Sequence, residues 1–445
     1  MKILFISLGC DKNLADSEEM LGLLTGSGHE IVDSEEEADA IVINTCCFIH
    51  DAKEESVNTI LEMAEYKKTG SCKALIVTGC MAQRYKEEIT QEIPEVDAVL
   101  GTTSYGDIVK ALNEAQAGNV FQEFRDINEL PEDSGRRVLT TGGHFGYLKI
   151  AEGCDKHCTY CIIPSLRGRF RSVPEERLLA QAEYMASQGV KELILVAQET
   201  TVYGTDLYGK KTLHILLKKL CQIKGIRWIR VLYCYPEEIY DELVQVMKEE
   251  KKICNYLDLP IQHASDRILK RMGRRTTRKQ LEDIIAKLRR EIPDIVLRTS
   301  LITGFPDETQ EDHEELMEFV DEMEFDRLGV FTYSPEEGTP AETMEGQVPE
   351  EVKEERRDEL MSLQQEISLE KGDERIGQEL VVMIEGKVSG ESAYIARTYA
   401  DAPKVDGYIF VQTGELLVTG DFARVRVTGA LEYDLIGELA DEYTE

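Results

Sequence analysis

Ten short apolar runs of five to eight residues recur between residues 2 and 333, and helical patterns separate them. The first four are KILFIS (2–7), AIVIN (40–44), ALIVTG (74–79) and DAVLG (97–101). The other six are YLKIA (147–151), ELILVA (192–197), WIRVLY (228–233), YLDLP (256–260), IVLRTSLI (295–302) and RLGVFTY (327–333). A continuous apolar run of this length suits a strand buried on both faces, and strand–helix alternation builds parallel sheets covered by helices. The pattern lapses over 121–140, which reads as a linker. The fold class expected is therefore α/β and multidomain: an open parallel α/β sheet over 1–120, then a partial (βα)6 TIM-like barrel over 141–372. Residues 373–441 change to five short β-type runs punctuated by Gly and Asp, the pattern of a small antiparallel β-barrel.

A chain of 445 residues exceeds one ordinary core, and its 42% hydrophobic content suffices to pack several. No run of 18 apolar residues occurs, so no membrane span is expected. The opening MKILFISLGC reads as a strand and not as a signal peptide, which points to the cytoplasm. There, eleven cysteines imply metal binding or catalysis in preference to disulfides. A net charge of −34 disfavours polyanionic ligands and favours a basic partner, although solubility is a competing account of such a charge.

Two cysteine sets stand out. GCDKHCTYC places Cys154, Cys158 and Cys161 on one loop at the C-terminal end of the first barrel strand, where barrel active sites form. Three thiolates there can hold three irons of a 4Fe–4S cube and leave the fourth iron open. The alternative is zinc with a further ligand such as His157, but zinc usually draws close ligand pairs from two loops. In the N-terminal domain Cys10, Cys46 and Cys80 each follow the end of a strand, on the sheet edge where ligands of open α/β folds gather. Cys72, Cys221, Cys234 and Cys254 read as packing residues. Cys47 adjoins Cys46, and since successive side chains diverge, one of the two faces the site.

The triplet, with Tyr160 before its last cysteine and a six-strand barrel behind it, resembles the radical S-adenosylmethionine superfamily. The resemblance implies a cluster whose open iron chelates the amino and carboxylate groups of S-adenosylmethionine, and reductive cleavage of that cofactor to a 5′-deoxyadenosyl radical. Over essentially the whole length the chain resembles the methylthiotransferases, through SLGCDKNLADSE (7–18), NTCCFI (44–49), VTGCMAQRY (77–85), VAQETTVYG (196–204), DLPIQHASDRILKRMGR (258–274), YSPEEGTPA (333–341) and RTYADAP (397–403). Within that family the likeness is greatest to the branch that modifies an aspartate of protein S twelve of the small ribosomal subunit. It implies two 4Fe–4S clusters, a C-terminal TRAM module for substrate recognition, and transfer of a methylthio group to the aspartate β-carbon using two S-adenosylmethionine molecules. The NTC context selects Cys46 as ligand; position 47, here Cys, is Gly or Ala in the family pattern. Tyr160 beside the adenine, Gln198 and Gln262 near polar groups, and Gly304, where backbone must come close, are the expected cofactor contacts. Arg167, Arg169 and Arg171 would hold an acidic substrate group or form a solvated basic loop. An electron donor of flavodoxin or ferredoxin type and a monomeric state complete the expectation.

The sibling reading is a tRNA adenosine methylthiotransferase, with the same clusters and fold. Residues 371–445 carry seven Lys/Arg against fifteen Asp/Glu, a net of −8, the wrong sign for gripping phosphates. Residues 266–298 carry eleven against five, a net of +6, and read as a helical surface facing the acidic stretch at 307–325. A non-enzymatic iron–sulfur carrier or sensor is the third reading, and leaves the barrel and tail unexplained.

Overall fold

The computed structural model describes residues 1–132 and 135–440; Asp133 and Ser134 of the expected linker, and residue 441 at the expected end of the tail module, lie outside them. The N-terminal domain is a six-stranded parallel sheet in the order Glu30–Val32, Lys2–Ser7, Ala40–Thr45, Ala74–Gly79, Ala98–Leu100, Phe121–Glu123. Its two central strands are buried at every position, which is why they read as unbroken apolar runs. Two strands differ from expectation. Glu30–Val32 and Phe121–Glu123 are three-residue edge strands without an apolar run, so neither carries a periodic signal. The second belongs to the sheet although residues 121–140 read as linker.

The central domain is a second parallel sheet, paired in chain order: Phe145–Lys149, Glu192–Val196, Trp228–Val231, Ile253–Asp258, Val296–Thr303 and Arg327–Thr332. Its first and last strands are the edges, so the barrel is partial. The helices Arg278–Glu291 and Gln310–Met323 begin at reciprocal capping boxes on Thr277 and Thr309. The basic run lies against the acidic one, as charge placement suggests: Arg267 pairs with Asp307 at 2.6 Å, and Arg278 with Glu322 at 2.9 Å and Glu318 at 3.3 Å. Its positive charge is thereby largely matched within the fold.

The helix Glu350–Asp373 packs on the last barrel strand and leads to a closed five-stranded barrel. Four of its five pairings are antiparallel; Ile409–Gln412 and Leu435–Leu439 run parallel, because the intervening strand Phe422–Ala430 lies beyond both in the barrel order. This module inserts Ala400 and Ala402 among Phe145, Tyr147, Trp228 and Val296 of the central sheet. Buried charges line the junction. Glu192 takes Arg230 at 2.8 Å and Arg397 at 2.7 Å, Arg327 pairs with Asp401 at 2.5 Å, and Arg298 with Asp406 at 3.4 Å. Phe145, Glu192, Trp228 and Arg327 all open their strands. The module therefore docks at the end of the sheet opposite the cysteine loop, the end that serves stability in such barrels.

Candidate functional site

In the N-terminal domain the three expected cysteines sit on adjacent loops, because three parallel strands deliver them to one edge. Cys10 follows the first strand and is exposed, whereas Cys46 and Cys80 are buried. Gly9 has φ +84°, and a Cβ there would stand 2.6 Å from Cys46 Cβ and 2.9 Å from its Sγ, so only glycine lets Cys46 close against the Cys10 loop. Asn13 stitches the loops through Nδ2, which donates to Leu8 O at 3.1 Å and Thr45 O at 3.0 Å. Burial pushes the Cys46 thiol up to about 12, and the neighbouring Cys80 adds to it; Cys80 itself is raised chiefly by burial. Such thiols stay protonated until a positive group arrives, and bound iron is such a group. Cys47 is fully buried in an apolar cluster with Met81 and Ile60, and its carbonyl accepts from Arg84 at 3.4 Å.

In the central domain Cys154 and Cys158 are buried and Cys161 is half-buried, on the loop beyond the first strand. The loop is tied down by backbone bonds: Cys154 N to Gly168 O at 3.2 Å, and Thr159 N to Met272 O at 2.9 Å. A Cβ on Gly153 would meet Arg169 O at 2.1 Å, so glycine is needed where the loop turns back on itself. Burial pushes Cys154 up to about 11 and Cys161 up to about 12. All eleven cysteines are free. Among the described residues no group of three or more His, Cys, Asp or Glu side chains is disposed to hold a single metal ion. A cube offers each thiolate its own iron, so its ligands surround a volume instead of meeting at a point. His157, the alternative fourth ligand, is exposed with φ +53°.

Beside the barrel triplet stand residues that the sequence did not single out. Tyr235 Oη lies 3.6 Å from Cys158 Sγ, and the Arg274 guanidinium sits 4.2 Å from the Tyr235 ring centroid. Glu199 follows the second strand; burial pushes its carboxyl up to about 7 against hydrogen bonds from Thr201. Gln198 Oε1 and Glu199 Oε2 are buried acceptors with no hydrogen-bond partner among the described residues. Two adjacent orphan acceptors call for a donor such as an amino group. The carboxylate in VAQETTVYG next to Gln198 was the available signal for Glu199.

Tyr160 meets Phe305 edge-on at 6.4 Å. Gln262 has φ +72° and its backbone bridges to the fifth strand, from Ser300 O at 2.9 Å to Ile302 N at 2.8 Å. Gly304 has φ +69°, and a Cβ there would stand 2.1 Å from Cγ of Lys353, whose Nζ donates to Tyr333 O at 2.8 Å. One expectation needs correction. Arg167 is neither solvated nor open to substrate: it is 2% exposed. Its Nη1 donates to Asp16 at 2.8 Å and Glu152 at 3.3 Å, and its Nη2 to Asn13 at 2.5 Å. Arg169 is exposed, and Arg171 donates to the Arg167 and Arg169 carbonyls at 3.0 and 2.5 Å. Of the packing cysteines, Cys254 lies inside the strand Ile253–Asp258.

One stretch meets the loops that carry both cysteine sets. Tyr233 and Tyr235 flank Cys234 just past the third barrel strand; Tyr235 faces Cys158, while Lys12, two residues from Cys10, lies 3.4 Å over the Tyr233 ring. Tyr233 holds φ +60°, a costly conformation for an aromatic residue.

Residues 2–101 match the model of the uncharacterized protein family UPF0004, 148–320 that of the radical SAM superfamily, and 376–440 that of the TRAM domain. A ribosomal protein uS12 methylthiotransferase RimO from Lachnoclostridium phytofermentans is 64% identical over 98% of this chain and 99% of its own length. Another from Pelotomaculum thermopropionicum is 51% identical, again over 98% and 99%. Among solved structures, the radical S-adenosylmethionine methyltransferase TsrM from Kitasatospora setae aligns with TM-score 0.55 at 13% identity, over 76% of this chain and 73% of that one. At that identity the likeness is one of fold.

Proposed function

This chain belongs to the ribosomal protein uS12 methylthiotransferases, and from that premise we propose how its residues divide the work. It is a radical S-adenosylmethionine enzyme that attaches a methylthio group to the β-carbon of an aspartate in uS12, consuming two S-adenosylmethionine molecules. Cys154, Cys158 and Cys161 would hold one 4Fe–4S cluster, and Cys10, Cys46 and Cys80 the other. When bound, the first supplies the electron that generates a 5′-deoxyadenosyl radical and the second presents the sulfur. The observation that carries this reading is the placement of two thiol sets on two domains, with residues 233–235 meeting Cys158 of one and Lys12, two residues from Cys10, of the other.

The remaining roles fall to this chain's own side chains. Gln198 Oε1 and Glu199 Oε2 receive the cofactor's amino group, which satisfies acceptors left without a partner. Tyr160, backed by Phe305, and Gln262 complete that pocket. Arg274 and Lys156, stacked on Tyr235 at 4.2 and 5.0 Å, bring positive charge towards Cys158. Burial of Cys154 and Cys158 limits the access of water to a reactive radical. The acidic surface of the TRAM module attracts the strongly basic ribosomal protein. We further propose a cytoplasmic monomer supplied with electrons by a flavodoxin- or ferredoxin-like donor; no helix among the described residues is long and apolar enough to cross a membrane.

The test is a reduced reaction fed with S-adenosylmethionine that offers uS12 and tRNA together, read by mass spectrometry. The expected product is methylthio-aspartate in uS12 with unmodified nucleosides. Modified adenosine beside an untouched aspartate would place the chain in the tRNA branch instead.

A further inference from the structure

Three lysines of the described residues are buried: Lys12, Lys149 and Lys353. Lys149 is paired with Asp16 and with Glu152 at 2.6 Å, and Lys353 with Glu350 at 2.9 Å. Lys12 is 7% exposed, yet among the described residues no carboxylate lies within 4.0 Å of its ammonium. Its ammonium lies 3.4 Å over the centroid of the Tyr233 ring, and the Tyr233 hydroxyl, Cys10 and Asp11 act on it as well. The adjacent Asp11 carboxylate is directed elsewhere: it accepts from Tyr233 Oη at 3.4 Å and interacts with the Tyr147 hydroxyl. Lys12 also sits in the first turn of the helix Asp11–Gly26, where the helix dipole disfavours a cation. An ammonium buried at the positive end of a helix, with an aromatic ring and no carboxylate directly against it, would be stabilised further by a carboxylate placed beside it.

Position identifies the anion. Lys12 lies two residues from Cys10 and reaches across to the mouth of the barrel, so it stands between the domain proposed to carry the sulfur and the one proposed to carry the radical. In the reaction proposed above, sulfur is delivered to the β-carbon of an aspartate, and that carbon bears the side-chain carboxylate directly. A substrate whose β-carbon reaches the Cys10 side must therefore bring its carboxylate to the same place. The carboxylate of S-adenosylmethionine is the other candidate of this chemistry, but it is expected on the open iron of the barrel triplet. We propose that the Lys12 ammonium binds the side-chain carboxylate of the target aspartate, and so helps this enzyme to select an acidic residue over a neutral base. This inference rests on the function proposed above.

The experiment uses the cluster-loaded enzyme without reductant, and compares the binding of uS12 with that of uS12 whose target aspartate is changed to Asn. Wild-type enzyme is expected to bind the Asp form about tenfold or more tighter, the range of a charged hydrogen bond withdrawn from water. Lys12→Gln should bind both forms alike, at the Asn level, and Lys12→Arg should regain part of the preference. Affinity for S-adenosylmethionine, iron content and thermal unfolding should stay unchanged in Lys12→Gln, which a merely structural cation would not leave intact. Equal binding of the two forms by wild type, a preference that survives in Lys12→Gln, or a loss of S-adenosylmethionine affinity would each overturn the inference. The wild-type comparison needs no variant to fold. Failure of the functional reading is separately visible, because wild-type enzyme would then leave uS12 unmodified in the competition reaction.

Discussion

Arg167 Nη2 donates to Cys80 Sγ at 3.6 Å, while Nη1 of the same guanidinium holds Asp16 and Glu152 at 2.8 and 3.3 Å. A residue just past the barrel cysteine loop is thus the direct neighbour of a thiol in the other domain. Lys149 completes the cluster by pairing with both acids. The domain junction is therefore an ion network that is satisfied only when both domains are in place.

Removing Arg167 should be expensive. Arg167→Met leaves two buried carboxylates to one lysine, and breaking such a pair costs about 3–5 kcal/mol. Unfolding of a three-domain chain is not two-state, so the expected sign is a lower first thermal transition, with Arg167→Lys recovering part of it. An unshifted transition would show that the network contributes nothing net.

Iron stoichiometry tests the ligand assignment. Anaerobically reconstituted protein should hold about eight irons, four per cube. Replacing Cys154, Cys158 and Cys161 together by Ala should remove about half. Ala at Cys72, Cys221, Cys234 and Cys254 should leave iron unchanged, though each of these buried side chains will lower stability. Cys46→Ala should lose iron and Cys47→Ala should not, since Cys46 is the one against the Cys10 loop.

The two proposed centres should also separate chemically. With Cys10, Cys46 and Cys80 changed to Ala, 5′-deoxyadenosine should still form from S-adenosylmethionine, but uS12 should gain no methylthio group. A methylthio product from that variant would mean that sulfur comes from elsewhere.

The tail module should come away from the barrel in acid, and Trp228, the only tryptophan, is placed to report it. Its indole is 9% exposed and meets Phe422 of the tail at 4.9 Å. Burial would raise the Glu192 and Asp401 carboxyls, but Arg397 and Arg230 beside the first, and Arg327 beside the second, outweigh it and hold both low. Carboxyls with depressed folded values stabilise fully above their unfolded pKa of about 4, and that stability is lost as pH falls through the folded values. Asp406 runs the other way: burial keeps it raised, so it softens the transition. Trp228 emission should hold steady from pH 7 to about 4.5 and shift to the red below about 4. Emission that first shifts above pH 5 would exclude these carboxyls as the cause. By the same pairing, deleting residues 375–445 takes Arg397 from Glu192, Asp406 from Arg298 and Asp401 from Arg327 and uncovers the sheet end they close, so the expected result is poor folding of the barrel.

What the sequence determined by itself is whatever repeats locally. Strand and helix periods are written into neighbouring residues, so the ten strands that lie in apolar runs and the five-stranded tail are legible, as is the delivery of Cys10, Cys46 and Cys80 to one sheet edge. Edge strands such as Phe121–Glu123 were not, because three half-buried residues make no apolar run. Tertiary structure alone decided the surroundings of each charge. Arg167 reads as a loop cation until Asp16, 151 positions away, is found against it. Lys12 reads as one more charged residue until its lack of a carboxylate is seen. Solvation and pairing depend on which distant segments exclude water from a side chain, and no local pattern encodes that.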